Sequence, residues 1–426
     1  MTGARAGILT VGDELLFGAT VDTNGAWLSA RLADLGLPVR ARAVVGDRDE
    51  EIRRALLWLL ESVDVVVVTG GLGPTPDDLT RETVAATLGI GLVESAALLS
   101  GLVERFRAHG LGDLPPDNAR QALEPAAGHG RTFPNPVGSA PGLWFEAPRP
   151  VVCLPGPPHE LKAIFTASVA PALAARFQTR LDPPFHRMFH TTGIAESVLS
   201  ARIAETFPEG TGPVGVAFLP HLGSVDVRLT VTGLPAPEAT AWLDRLEVRL
   251  APVLAPHRFD SPHGDVAEAV HARLAPTDRT LSVAESCTGG RIAHRLTVMP
   301  GSSRTFVGGV VAYANEAKSG LLGIDPGLIG RVGAVSREVA EGLATGACRV
   351  FGTRAGIGVT GIAGPDGGTD DKPVGTVWYA VALDGAVHAH HRRFLGDRDG
   401  IRERASEAAL GLLHRLLGDG PVEADG

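Results

Sequence analysis

The run DVVVVT at residues 64–69 restricts what this chain can become more than any other stretch. Four consecutive valines leave no polar face, so the strand they form must be covered on both sides. That is the position of a central strand in a parallel sheet with helices above and below it. The neighbouring sequence fits this frame. Residues 7–11 form a short apolar strand, and Asp22, Thr23 and Asn24 offer capping side chains ahead of Trp27, Leu28, Leu32 and Leu35, a helical pattern that Gly36 closes. Residues 39–45 read as a second strand. Residues 50–62 read as a second helix, with Ile52, Ala55, Leu56 and Leu59 on one face.

The valine strand delivers the chain to GGLGPTPDDLT at residues 70–80. Its glycines permit a tight turn and close approach of backbone to a ligand. A helix over residues 80–88 follows, and helix N-termini beyond strand C-termini are where such sheets bind phosphates. Asp77 and Asp78 then have two readings: cap and dipole partner of that helix, or ligands of a Mg²⁺ that bridges to a diphosphate. A second Pro/Gly loop, residues 135–143, precedes a strand at 150–154 and then PGPPHE, where His159 and Glu160 have two readings, ligands or a helix start, the second preferred. Two such loops flanking strands suggest one cleft with several walls.

At 426 residues the chain exceeds one ordinary core, so two or three domains are expected. Its glycines and prolines fall between periodic segments and read as turns of an α/β protein. A net charge of −9 argues against a nucleic-acid or anionic membrane surface as the main partner. Cys153, Cys287 and Cys348 lie far apart without CxxC spacing, which implies no disulfide framework or structural zinc and suits a reducing compartment. No apolar run approaches the ~20 residues of a membrane span, and the start lacks a signal-peptide pattern, so a cytoplasmic location is expected.

After Pro183-Pro184 the order strand (185–192), helix (194–207), strand (214–219), strand (225–231), helix (237–250) suggests a small open sheet with helices on one face. The unit invites comparison with a KH domain. The Gly-x-x-Gly clamp of such domains is not evident, and no basic stripe stands out, so a spacer or dimerisation role is expected, with a homodimer as the assembly.

Residues 252–262 read as a Pro/His-rich linker into a last domain. There the window 284–318 gathers Ser286, Ser303, Tyr313 and Lys318 among Gly/Ser loops. A strand at 280–284 runs into ESCTGG and a helix from Arg291, which reads as an anion-binding nest with the Ser286 and Thr288 hydroxyls aimed at the ligand. No His sits beside an acid in a triad-like loop. A serine nucleophile would need another base, and a lysine serves if burial lowers its pKa, with a tyrosine relaying the proton. Ser303, Tyr313 and Lys318 are close enough in sequence to be gathered by the strand 307–313 and its turn; the alternatives are a helix cap for Ser303 and a solvated lysine. The remaining pattern is the loop GAVS, a helix at 337–350, a strand at 355–360, the loop 361–368, a strand-rich return at 372–383 and a last helix at 401–417. It suggests a three-layer α/β/α domain.

GDELL at 12–16, DTN at 22–24 and TGGLGPTPDDLT at 69–80 resemble the molybdopterin-binding fold of the MoaB/MogA type, in the wording of the competence/damage-inducible CinA family. The resemblance implies metal-dependent cleavage of the ADP-ribose diphosphate, with Mg or Co as the metal. Glu14, Asn24, Gly71, Asp77 and Asp78 become site candidates, the two aspartates as metal ligands. AESCTGG, GSS, VVAYANEAK, GAVS, VTGIAGPDGG, KPVGTV and GDR resemble the C-terminal CinA domain, a PncC-like nicotinamide-nucleotide amidase. That resemblance implies hydrolysis of nicotinamide mononucleotide to nicotinate mononucleotide and ammonia without a cofactor. It makes Ser303 the nucleophile, Lys318 the base, Tyr313 its partner, and Ser286, Thr288 and Thr360 substrate or oxyanion contacts. Arg398 or Arg402 becomes the phosphate clamp. Domains are expected at 1–174, 175–255 and 256–426. Two other readings stay open: a nucleotide-binding regulator without turnover in the first domain, and an interaction protein in competence or DNA repair.

Overall fold

A computed structural model describes residues 3–110 and 112–418, so the ends of the expected first and third domains lie outside the described residues. The chain divides into two compact units, one up to Pro184 and one from Phe185 onward.

The first unit holds β1 (Ala6–Val11), β2 (Val39–Val45), β3 (Val65–Thr69), the short pair β4 (Leu92–Glu94) and β5 (Leu123–Pro125), then β6 (Gly130–Phe133), β7 (Gly142–Phe145) and β8 (Val151–Leu154). Its main sheet runs β2-β1-β3-β8-β7-β6. β2, β1, β3 and β8 are parallel; β7 and β6 are antiparallel. The four valines explain themselves here. Val65 and Val67 enter a core with Leu28, Leu32, Leu161 and Ile164, while Val66 and Val68 enter another with Ile52, Leu56, Leu59 and Val84. β6 and β7 lack a sequence signature, because each is four residues long between Gly/Pro loops. The loop after Phe133 joins them, and its Asn135 is tied to Glu160 by a 2.6 Å hydrogen bond.

The second unit begins with β9 (Phe185–Thr192), β10 (Gly215–Pro220), β11 (Ser224–Val231) and β12 (Arg258–Phe259), in the order β10-β11-β9-β12. Helices Glu196–Thr206 and Ala236–Leu254 place Leu199, Ile203, Leu243, Leu246 and Leu250 on this sheet. The supposed linker is not one. The helix runs through Pro252 to Leu254, which is buried, and β12 then pairs with β9. Phe259 also joins the core of the following layers.

Those layers contain β13 (Leu281–Glu285), β14 (Phe306–Val311), β15 (Ala355–Gly361), β16 (Thr376–Leu383) and β17 (Ala386–Arg393), ordered β14-β13-β15-β16-β17. The first three are mutually parallel and the last two antiparallel. Val266, Ile292, Leu296, Ile401 and Leu410 cover one face, while Leu322, Val339, Leu343 and Ala347 cover the other. The expected three-layer α/β/α arrangement is therefore present. β17, AVHAHHRR, escapes sequence reading because an edge strand needs no apolar face. Among the described residues no helix is long and apolar enough to cross a membrane.

Candidate active sites

In the first unit a cavity of about 450 Å³ opens at the C-terminal ends of the parallel strands. Thr10 and Gly12 at the end of β1, Asp47 after β2, Thr69–Gly71 at the end of β3 and Gly156 after β8 all line it, with Glu14, Asp22, Asn24, Asp77 and Asp78. All five residues expected at this site thus share one cavity. The loop 135–141 does not border it, so the expected second wall is instead PGPP after β8. Asn24 holds the cavity floor: its Nδ2 donates to Gly156 O at 2.7 Å and to Thr69 Oγ1 at 3.3 Å, and its Oδ1 is buried without a partner. Asp22 caps its helix, accepting from Gly25 N at 2.7 Å. Asp47 was not singled out from the sequence. Its position directly after a parallel strand was the available signal.

The carboxylates do not form a protein-only metal cage. Among the described residues no three His, Cys, Asp or Glu side chains are placed to hold an ion together. Asp78 is already engaged, its Oδ2 accepting from Thr75 N at 2.8 Å and from the Thr75 hydroxyl. The helix Thr80–Leu88 has no side-chain cap, so Asp77 is not its cap. What remains suits an ion that takes one or two carboxylates and completes its shell with phosphate oxygens and water. Burial pushes the Asp47 carboxyl up, helped by Asp13, Glu14 and Asp77 and opposed by the Asp13 N–H. Such crowding favours a cation in the cavity.

In the second unit the candidate residues gather at the C-terminal ends of β13, β14 and β15. Ser286 N donates to Val359 O at 2.9 Å, and Ala312 N donates to Glu285 O at 2.8 Å, so Ser286 lies between the ends of β14 and β15. Lys318 is 2% exposed. Its Nζ donates to Ala312 O at 3.0 Å and Tyr313 O at 2.9 Å, which ties the amine to the end of β14, where Ala312 N bonds Glu285, the residue before Ser286. Desolvation lowers its pKa. A neutral amine has two N–H groups; both are satisfied here, and the lone pair is left to accept a proton. Tyr313 is 60% exposed. Its hydroxyl accepts from Arg398 Nη2 at 2.8 Å, and Arg398 Nη1 donates to Gly364 O at 2.6 Å. Arg402 Nη2 donates to Thr288 O at 3.0 Å, and Thr360 Oγ1 donates to Ala334 O at 2.8 Å. Thr288 Oγ1 is buried without a partner.

Two expectations need correcting. The helix Arg291–Thr297 is not an open anion nest, because Glu285 fills it: its carboxylate accepts from Gly290 N, Ile292 N and Ala293 N at 3.0, 3.1 and 2.8 Å. Glu285→Ala strands these three donors, and the urea midpoint of this unit is expected to fall by the equivalent of about 2–4 kcal/mol. Glu285→Gln, which keeps an acceptor, is expected to lose about half as much. The second correction concerns Ser303. It sits exposed in the turn Ser302–Arg304 before β14, whereas Tyr313 and Lys318 follow that strand. Six extended residues at ~3.3 Å each put roughly 20 Å between them. Ser286, not Ser303, shares with Lys318 the C-terminal end of the sheet.

Comparison with known proteins places this chain in a family. Residues 7–175 match the probable molybdopterin binding domain, 186–259 the damage-inducible protein CinA KH domain, and 263–417 the CinA C-terminal domain. A CinA-like protein of Gemmatimonas aurantiaca is 43% identical over 413 residues, 96% of each chain. One from Anaeromyxobacter dehalogenans is 40% identical, covering 96% of this chain and 99% of its own. Among solved structures, CinA from Thermoplasma acidophilum, whose function is described as unknown, matches 40% of this chain and 98% of its own at 38% identity, with a TM-score of 0.37. The chain belongs to the CinA family.

Proposed function

We propose that the second unit hydrolyses the carboxamide of nicotinamide mononucleotide, with Ser286 as nucleophile and Lys318 as base. The observation that carries this reading is the buried Lys318 amine, held by two carbonyls beside the Ser286 strand end. Ser286 Oγ attacks the carboxamide carbon while Lys318 Nζ takes the hydroxyl proton. The Cys287 and Thr288 N–H groups donate to no oxygen among the described residues, and they are free to hold the oxyanion, worth about 3–4 kcal/mol per donor. Lys318 returns the proton to the departing nitrogen, which leaves as ammonia. Water then gives its proton to Lys318, attacks the acyl carbon, and releases nicotinate mononucleotide and the Ser286 hydroxyl.

For the first unit we infer a nucleoside-diphosphate site that cleaves ADP-ribose. Glu14, Asp47, Asp77 and Asp78 line the cavity and would meet a divalent ion, which would neutralise the diphosphate. Asn24 and the Gly70-Gly71 turn fix the walls. The full chain incubated with Mg²⁺ or Co²⁺ is expected to release AMP from ADP-ribose and ammonia from nicotinamide mononucleotide. EDTA is expected to abolish the first and spare the second. Absence of AMP with ammonia retained would make the first unit a binding regulator; absence of ammonia with metal and without it would overturn the amidase reading.

A further inference from the structure

Leu16, Phe17 and Val21, at the rim of the first unit's cavity, are 54%, 79% and 78% exposed and join neither core of that unit. Single exposed apolar residues are ordinary, but three within residues 16–21 beside a cavity mark a binding surface. We propose that Phe17 is the platform on which the purine base of a nucleoside diphosphate stacks, with the diphosphate lying on the Gly70-Gly71 turn. This inference rests on the nucleoside-diphosphate reading of the cavity.

Local geometry sets Phe17 at the rim. Asp13–Leu16 is one helical turn, and Phe17 continues it with φ −77° and ψ −6°, its N–H donating to Asp13 O at 3.0 Å. Residues three apart in a helix share a face, with Cβ atoms about 5–6 Å apart. Glu14 lines the cavity, so Phe17 stands on the cavity side of the turn. A helical side chain leans toward the N-terminus, which carries the Phe17 ring over the turn that bears Glu14. The chain then closes on itself, because Ala19 N and Thr20 N both donate to Glu14 O, at 3.0 and 3.3 Å. These bonds hold residues 15–18 as a defined projection. Leu15 on one side of its tip, and Thr20 and Val21 on the other, line the cavity.

The cavity itself offers a base no aromatic face. Its lining is mostly carboxylates, threonines and glycines with Asn24, and among the described residues that line it none is aromatic. Such walls suit a phosphate, a metal ion and a ribose. A base gains most by leaving water for an aromatic surface. Trp27 cannot supply one, since its ring is already packed edge-on against Phe165 at 5.4 Å and lies under the Lys162 ammonium. Phe17 is uncommitted and adjoins the carboxylate that meets the diphosphate. Stacking reads the face of a base rather than its edge, so adenine and guanine serve alike.

Binding to the full chain in Mg²⁺ tests the platform. Wild type is expected to bind ADP and GDP within about fivefold of each other. Phe17→Ala is expected to weaken ADP by about tenfold or more and to leave inorganic pyrophosphate within about twofold, with an unchanged urea midpoint because Phe17 joins no core. In Phe17→Trp, ADP is expected to bind at least as tightly as to wild type and to quench fluorescence beyond the change in wild type, whereas pyrophosphate is not. Equal weakening of both ligands in Phe17→Ala, or an unchanged affinity for ADP, would overturn the platform; the second result would assign the apolar rim to a protein partner instead. The ADP-against-pyrophosphate contrast without AMP release from ADP-ribose would overturn the cleavage reading and leave the platform standing. Binding of neither ligand by wild type would overturn both.

Discussion

Ser286→Ala is expected to cut ammonia release from nicotinamide mononucleotide by at least about a thousandfold, the scale on which removal of a nucleophile or its base usually falls. Ser303→Ala is expected to keep kcat within about fivefold. The two serines differ in sheet position rather than in chemistry. Ser303 starts a strand that carries the chain away from it, while Ser286 ends the neighbouring parallel strand, where Ala312 and Lys318 also arrive. In a parallel sheet the residues that meet are those after different strands, not those on either side of one. Matching urea unfolding curves for both variants would show that the difference is chemical. A thousandfold loss in Ser303→Ala, with Ser286→Ala active, would reverse the assignment.

The same distinction explains what the sequence could disclose. The valine run was legible because each of its residues serves one of two cores, and that demand is written in side-chain type. Asp22 was legible as a cap because the motif is local. The gathering of Glu14, Asn24, Gly71, Asp77 and Asp78 was legible because their loops follow strands whose parallel order the pattern implied. Asp47 follows a strand in the same way, yet no glycine-rich loop drew attention to it. Glu285 could not be read as the partner of a helix start, since its three donors come from the opposite side of a turn. Ser303 misled for the converse reason. Nearness in the chain is not nearness in space, and a six-residue strand separates the turn from Tyr313 and Lys318. β12 and β17 were missed because two residues in one case, and an exposed polar edge in the other, carry no burial pattern.

Amidase activity is expected to rise with pH along an acid limb set by Lys318, and Lys318→Arg is expected to lose about a thousandfold in kcat with no such limb remaining. Desolvation disfavours the ammonium, so Lys318 loses its proton below the 10.5 of an exposed lysine. Only the neutral amine can accept the Ser286 proton, and its fraction grows as pH climbs through the depressed pKa. Arginine remains protonated throughout and cannot take the role, although it can still donate to the two carbonyls. Stability follows the same proton. Between the folded pKa and 10.5 the unfolded chain binds the proton more tightly, so the contribution of this group to stability rises with pH across that window and falls as pH drops through the folded value. Activity and the Lys318 contribution to stability therefore increase together on the alkaline side. A pH profile of kcat/KM, read beside urea midpoints at the same pH values, separates this from general alkaline inactivation. A Lys318→Arg enzyme with an unchanged profile would remove Lys318 from the chemistry and leave its buried amine a structural tie between Ala312 and Tyr313.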